Sequence, residues 1–424
     1  MSELGPSPLA SGDELPVAAA RAAIAATLRP LTATETVPLA AALSRVLAAD
    51  VVSPIDVPAH DNSAMDGYAL RGAELQAAAQ TTLKALPGTV FAGAAHGGRL
   101  DAGECVRIMT GAVMPVDADT VVPVELCRVE AGRVTIAPGV LRAGDNRRKR
   151  GEDLARGGVA LAAGRVLRPA DLGLLASLGF DRVTVFRRLR VALFSTGDEL
   201  RSPGEPLALG QIYDSNRFSL LGALQRLGME VVDLGLVADD RAALQSTLEA
   251  AVAQADVVLT SGGVSMGDAD YTRQVLAEMG EVGFWKVAMR PGRPFAFGPL
   301  RRSGAQAPSW LFALPGNPVA ALVGFYVFAR EALLQLAGAE PEPLPVLQAR
   351  CTTGIRKRPG RTEFQRAVVE ATPQGPWQVR LTGSQGAGVL RSMSEANALL
   401  VLGHEQGSVA AGDLVDVWLF DGLV

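Results

Sequence analysis

Cysteine, histidine and lysine are the scarce residues of this chain. Its 424 residues hold three cysteines (Cys105, Cys127, Cys351) and three histidines (His60, His96, His404), all far apart in sequence. That spacing excludes a disulfide scaffold, a CxxC redox pair and a His/Cys zinc site together. Of 40 cationic side chains only Lys84, Lys149, Lys286 and Lys357 are lysine, leaving 36 arginines. Arg and Lys differ in shape, hydration and hydrogen-bond geometry, so each surviving lysine marks a place to ask why a compact ammonium was kept. A positive field is lacking too. The formal net charge is -4, which gives no argument for a nucleic-acid partner.

The first residues, MSELGPSPLASGDEL, show no basic start followed by an apolar core. No signal peptide is expected from them, and a cytoplasmic location is. The most apolar stretch, 310–329, is cut by Pro315, Gly316, Asn317 and Pro318. This leaves a strand and a helix of about half the ~20 residues that span a bilayer. A buried strand and core helix, with no membrane partner, is the expectation.

Hydrophobic residues make up 48%, with 46 Gly and 26 Pro, as in a folded, loop-rich globular protein. Domains of roughly 100–200 residues make about three the expected number. A short Ala-rich helix is predicted over 16–29. From Val37 to about Val140, short apolar runs between Gly, Pro and Asp predict an all-β module. The stretch 144–164 reads as a connector returning toward the N-terminal helix, and a small helix follows at 169–178. From Leu189 strands alternate with helices: RVALFS, a helix from Asn216, EVVDLGLV, a helix after Asp240, DVVLT, a helix near 271–279, WLFALP and a further helix. That rhythm predicts a parallel sheet covered on both faces. Short strands and turns return after about Leu344.

Ligands of open parallel sheets bind outside the carboxyl ends of the strands. Three such ends carry unusual loops here: STGDEL, SGGVSMGDADYT and LPGNP. Their glycines let backbone N–H groups approach an anion, which helix N-termini also favour. A GxGxxG fingerprint and any Gly-Lys pair are absent, which argues against dinucleotide dehydrogenases and Walker-type NTPases. The loops are also acidic, with Asp198, Glu199, Asp239, Asp240, Asp268 and Asp270. Bare carboxylates repel a phosphate unless Mg²⁺, which takes oxygen ligands from both, lies between them. Asp240 reads as a helix cap. Glu199 and Asp270 are the candidate metal ligands. Lys286, Arg290 and Arg293 place three cations within FWKVAMRPGRPFAFG, either for an anion or to neutralise the acidic loops. VPAHDNSAMDGYAL reads locally as an Asx-rich turn, and RRKR as a solvated face. Gly263–Gly267 matches GxSxG around Ser265. A nucleophile elbow needs its Ser just beyond the strand, whereas Ser265 lies several residues past Thr260, with only His404 left as base.

DVPAHDNSAMDGYAL, RIMTGAVMP, RRKRGEDL, VALFSTGDEL, QIYDSNR, TSGGVSMGDADYT, FWKVAMRPGRPFAFG and LPGNPVA occur here in one order. In motifs, order and spacing the chain resembles the molybdopterin molybdenumtransferases, the MoeA family, related to the C-terminal domain of gephyrin. RTEFQR and GSQGAGVLRSMSEANALLVL are similar to the family's last domain.

The resemblance implies a multidomain α/β plus β protein. It would have a central doubly wound molybdopterin-binding α/β domain (181–340) and a β-rich module (51–140). An elongated connector (1–50 and 141–180) and a small C-terminal β-barrel domain (341–424) would complete it. The implied reaction takes adenylylated molybdopterin and molybdate, cleaves the pyrophosphate with Mg²⁺, releases AMP and leaves molybdenum on the dithiolene. A homodimer is implied, with the cleft between the α/β domain of one subunit and the β module of the other. Molybdopterin adenylyltransferase and other cofactor-pathway proteins are the implied partners.

By motif, Asp66 and Thr110 would come from the partner subunit. Asp153, Glu199, Asp239, Asp270, Lys286, Pro315 and Pro318 would line or support the cleft. Gly262 and Gly263 would cradle the pterin phosphate, with Ser265, Arg290 and Arg293 also against substrate. Some relatives carry Lys where Arg290 and Arg293 stand. The catalytic expectation rests on Asp66, Glu199, Asp270 and Lys286. The alternative is a non-catalytic molybdopterin-binding or scaffolding protein of the same fold. A single-domain adenylyltransferase is disfavoured by the flanking β modules.

Overall fold

The structure is a computed structural model that describes residues 14–263, 270–302, 304, 307–373 and 375–423. Chain order begins with helix α1 (Val17–Thr27), which follows Pro16 and buries Val17, Ala20 and Ile24 on one face. Strand β1 (Thr34–Pro38) leads into the β module. The module's single sheet has six strands: β2 (Gly67–Leu70), β3 (Thr81–Val90), β4 (Glu104–Ile108), β5 (Thr120–Pro123), β6 (Cys127–Glu130) and β7 (Arg133–Ile136). Both faces of this sheet are covered, one by Val90, Leu100, Ile108 and Met114 and the other by Leu70, Leu83, Val122 and Ile136.

The chain then returns beside its outgoing path. Val159–Leu161 pairs antiparallel with Val51–Val52. Helix α2 (Pro169–Ser177) follows, and β8 (Arg182–Phe186) pairs residue for residue with β1. The connector is therefore built from two separated segments that share one core around Leu47, Leu161, Leu175 and Val185.

The α/β unit comprises β9 (Arg190–Thr196), α3 (Asn216–Arg226), β10 (Glu230–Val237), α4 (Arg241–Gln254), β11 (Val257–Ser261) and α5 (Asp270–Met279). Strands β12 (Gly283–Lys286), β13 (Pro294–Leu300) and β14 (Ser309–Leu314) follow, then helix α6 (Pro318–Leu336). The sheet order is β10-β9-β11-β14-β13-β12. The first four strands run parallel as expected. The last two form an antiparallel extension that the alternating rhythm does not reveal. The sheet is mixed, because only eight residues join β13 to β14, fewer than the dozen or so a parallel crossover requires.

Helix α6 is longer than expected. It has 19 residues, is long and apolar enough by length and composition alone to cross a membrane, and is mostly buried inside the protein. It continues as a helix past the expected length because no Gly or Pro follows Gly324 before Leu336. It packs with α1, α3 and one face of the sheet in a core that includes Phe295, Phe312, Phe325 and Phe328. Helices α4 and α5 cover the other face.

The C-terminal strands β15 (Leu347–Cys351), β16 (Thr362–Thr372), β17 (Gly375–Leu381), β18 (Ala398–Leu402) and β19 (Leu414–Leu419) close into a five-stranded barrel, since β16 pairs with both β17 and β18. Met289–Arg290, between β12 and β13, adds to β16 at Thr362–Glu363 and ties the barrel to the α/β unit.

Phe312 is fully buried, with its ring 5.1 Å from that of Phe297 and 6.4 Å from that of Phe295. Phe312→Ala should lower unfolding free energy by about 3–5 kcal/mol. Denaturant titration checks this, and a loss under about 1 kcal/mol would mean the cluster does not hold the sheet to α6.

Candidate active site

Strand register places the three unusual loops side by side. Ser195 of β9 stands opposite Ser261 of β11, and Ser261 opposite Leu314 of β14. Thr196, Gly262 and Pro315 therefore begin their loops at one level of one edge. Gly262 has φ +96° and a Cβ there would lie 2.3 Å from the Thr196 carbonyl oxygen, so only glycine fits. Gly263, at φ +71°, packs between Thr196 and Thr272, near the start of α5.

The corner Asp214–Arg217, where α3 begins, fastens these loops. The Ser195 hydroxyl donates to Asp214 Oδ1 at 3.0 Å. Arg217 donates to Asp214 through its backbone N–H at 3.2 Å and Nε at 2.9 Å, and through Nη1 to Asp233 at 2.6 Å. Asp214 is 1% exposed. Breaking a buried ion pair from one side costs about 3–5 kcal/mol, because the remaining charge is stranded. Asn216 Nδ2 donates to Ser261 Oγ at 2.7 Å and to the Gly316 carbonyl at 2.6 Å. Ser261 Oγ passes its own proton to the Pro315 carbonyl at 3.2 Å. Sequence reasoning quoted this segment only within QIYDSNR and gave it no role. Its signal was Asp, Ser, Asn and Arg in a row at a helix start.

The acidic residues gather at one end of the edge. Asp239 is open to solvent, but partial loss of water around its carboxyl, followed by Asp198, Glu199 and Asp240, raises its pKa. Asp240 also caps α4, accepting from the Ala243 N–H at 3.0 Å. Among the described residues no three His, Cys, Asp or Glu side chains converge to hold a metal. Crowded carboxylates that repel one another still fit Mg²⁺ held by one or two of them together with substrate phosphates. Asp270 is the first residue of α5; its side chain, and all of Ser265, lie outside the described residues.

Lys286 ends β12. Because β12 is antiparallel to β13 and β13 to β14, the end of β12 lies at the same edge as Pro315, with Lys286 opposite Pro294. Four strand spacings of about 4.8 Å separate β12 from β9, so Lys286 and Glu199 flank the edge on the order of 20 Å apart. They stand at two ends of the edge, too far apart to form a single cluster. Lys286 is half-buried, and Leu15 seals its strand by donating to the Lys286 carbonyl at 2.8 Å. Arg293 pairs with Glu14, and Arg290 is exposed beside the barrel. Pro315 is buried and Pro318 opens α6.

The other lysines have plain reasons. Lys84 meets Glu104 at 3.0 Å on the surface, and Lys149 is exposed. Lys357 is buried with its ammonium donating to the carbonyls of Gln406 (2.7 Å), His404 and Arg358 (both 3.4 Å). Only a compact three-donor head suits that nest.

Asp66, Thr110 and Asp153 form a second locus, in the β module and its exit. Asp66 Oδ1 accepts from the Thr110 hydroxyl and N–H, both at 2.7 Å. Asp153 donates its N–H to the Val57 carbonyl at 3.1 Å, and Ser63 pairs with Arg147. Among the described residues no hydrogen bond or ion pair links this locus to the α/β edge.

Two cavities of about 580 and 600 Å³ lie away from both loci, one by Arg380 and Arg391, the other by Arg45, Arg187 and Arg330. Arg380, Arg391, Arg45 and Arg187 are already paired with Glu370, Glu395, Glu35 and Asp256. The strand-end loops, where Gly262 and Gly263 leave room at the carboxyl ends of the parallel strands, define the candidate site better than these holes.

A parallel sheet with helices on both faces and glycine loops at its carboxyl edge defines a doubly wound α/β protein, whose ligands bind at that edge. Residues 15–179 match the MoeA N-terminal region (domain I and II), 192–335 a probable molybdopterin binding domain, and 348–420 the MoeA C-terminal region (domain IV). The chain is 42% identical over 395 residues to a molybdopterin molybdenumtransferase of Haemophilus influenzae, covering 93% of this chain and 95% of that one. It is 38% identical to molybdopterin molybdenumtransferase 2 of Mycobacterium tuberculosis, covering 90% and 94%. The crystal structure of a molybdopterin biosynthesis moeA protein from Pyrococcus horikoshii superposes with a TM-score of 0.80 at 27% identity, covering 96% and 100%. The chain belongs to the MoeA family.

The Thr110 hydroxyl and then its N–H, with Arg107 behind them, hold the Asp66 carboxyl below its ordinary value. Any stability this adds is present above the unfolded pKa and is lost as pH falls through the lowered folded one. Thr110→Val removes the hydroxyl donor, and the Asp66 pKa should rise toward about 3.9 in a carbon-13 NMR titration. An unmoved pKa would mean the bond does not form in solution.

Proposed function

We propose that this protein is a molybdopterin molybdenumtransferase. It takes adenylylated molybdopterin and molybdate, cleaves the pyrophosphate, releases AMP and leaves molybdenum on the dithiolene. The observation that carries this reading is the joined edge of Thr196, Gly262 and Pro315, bracketed by carboxylates at one end and Lys286 at the other. A ligand with a phosphate-bearing pterin, a pyrophosphate and a nucleotide is long enough to use both ends. Membership of the family and the names of its curated relatives support the same chemistry.

In this reading the backbone at Gly262 and Gly263 cradles the pterin phosphate, while Pro315 and Pro318 shape the loop beside it. Lys286 steadies phosphate or molybdate charge in a half-buried position, where a fixed cation acts more strongly than in water. Glu199, with Asp239 nearby, and Asp270 would hold Mg²⁺, which when bound would supply positive charge for the pyrophosphate oxygens. Arg290 faces the anion from the barrel side, and Ser265 belongs to the loop over the phosphate. Arg293, paired with Glu14, keeps the N-terminal segment against β12.

Asp66, Thr110 and Asp153 complete the cleft from a second subunit, so the working form is a homodimer. The separation of their locus from the edge within one chain supports this. The connector (1–50 and 141–180) holds the β module (51–140) away from its own α/β domain (181–340), with the barrel (341–424) behind. The enzyme works in the cytoplasm, receiving its substrate from the adenylyltransferase of the same pathway.

Purified protein given adenylylated molybdopterin, Mg²⁺ and molybdate should release AMP and yield cofactor that activates an apo-molybdoenzyme. No AMP release sinks the transferase reading in favour of a binding or scaffolding role. Lys286→Arg should lower turnover markedly, whereas Arg293→Lys, which keeps the Glu14 pair, should cost little. Equal effects would reduce the lysine argument to composition.

The raised Asp239 pKa has a second consequence. Millimolar Mg²⁺ should raise Tm at pH 7, and the gain should vanish as pH falls toward the carboxylate range, because protonated carboxyls do not bind a hard cation. A pH-independent gain, or none at all, contradicts a carboxylate-held ion.

A further inference from the structure

Two residues of the corner before α3 have opposite hydrogen-bonding duties. Asp214 only accepts, taking protons from Ser195 and Arg217. Asn216 gives both N–H bonds of its amide away, to Ser261 Oγ and the Gly316 carbonyl. The Gly316 carbonyl cannot donate, so the amide orientation is set by chemistry. Asn216 Oδ1 is buried and has no partner among the described residues. Asn216 is thus kept for its two donors. An isosteric Asp would set a carboxylate oxygen against a carbonyl 2.6 Å away.

The two acceptors belong to the ends of two neighbouring strands. Ser261 directly precedes Gly262 and Gly263. Gly316 lies between Pro315 and Pro318, and its Cα side faces Gly262, where an added Cβ would stand 3.9 Å from the Gly262 Cα. The Gly262 N–H also donates to the Leu314 carbonyl at 3.0 Å. One side chain therefore ties together, beyond the last backbone bond of the ladder, the glycine pair and the Pro-Gly-Asn-Pro loop.

We propose that Asn216 is a positioning residue for the reaction: it holds the Gly262–Gly263 and Pro315–Pro318 loops at the separation that grips the pyrophosphate-bearing substrate. This rests on the transferase reading for its substrate. The contact itself stands on the geometry of the strand ends.

Loss of positioning and loss of fold leave different kinetic marks. A variant that merely folds less well lowers the amount of active enzyme, so apparent kcat falls while KM stays. A cradle of altered spacing grips substrate less well, so KM rises.

Asn216→Asp should unfold at a lower temperature than wild type, because it buries an unpaired carboxylate. In its folded fraction it should raise KM for adenylylated molybdopterin roughly ten- to hundredfold, since small misplacements at such sites cost that much. Ser261→Ala, which breaks one of the two links, should raise KM by a smaller factor and serves if Asn216→Asp does not fold. Calorimetric titration with ADP, whose pyrophosphate stands in for that of the substrate, should show the same ranking without turnover. If wild-type protein releases no AMP but ADP affinity still falls in the variants, the transferase reading fails and the positioning role stands. Wild-type KM and ADP affinity in folded Asn216→Asp, or a fall in kcat alone, overturns the inference.

Discussion

The amide of Asn216 and the carboxylate of Asp214, two residues apart where α3 begins, are the fastening on which the candidate site depends. The loops after β9, β11 and β14 come from distant parts of the chain and share no covalent link. Asp214 holds Ser195 at the end of the first. Asn216 holds Ser261 and Gly316 at the ends of the other two. Each residue of the pair supplies what the other lacks, an acceptor in one place and donors in the next. Because both are almost wholly buried, neither duty can pass to water without leaving a polar group unsatisfied.

The antiparallel extension of the sheet has a second effect. Strand β12 reverses direction twice relative to β14, so its last residue reaches the ligand edge instead of the opposite one. That is how Lys286 enters the site from a hairpin. The same extension supplies Met289–Arg290 to the barrel, so backbone pairing joins the cation end of the edge to the barrel. The acid end belongs to β9, β10 and α4.

Much of this was legible in residue patterns. Apolar runs such as RVALFS and VVLTS and the helical spacing of Leu220 and Leu224 mark the α/β unit, because burial on both faces demands them. Glycines at 262 and 263 and the acids near them mark the strand ends. What pattern could not show is lateral order. Nothing in the spacing of Lys286 and Glu199 says that they lie at two ends of one edge, since strand order depends on contacts made across the sheet. The corner at Asp214 was likewise hidden, because its bonds reach residues 19 and 100 positions away. Lysine scarcity singled out Lys286 and Lys357 equally. The carbonyl nest around Lys357 accounts for that one without any ligand.

The return of the connector beside its own outgoing path makes the β module an insertion. Val51–Val52 and Val159–Leu161 are partners in one short ladder, so the chain leaves for the β module and comes back about one strand spacing away, near 4.8 Å. Topologically the module is a cassette set into a turn of the connector. Its sheet brings its own two-sided core and borrows none from its host. Such a unit can fold around its own core without drawing on the packing of the α/β sheet or the barrel.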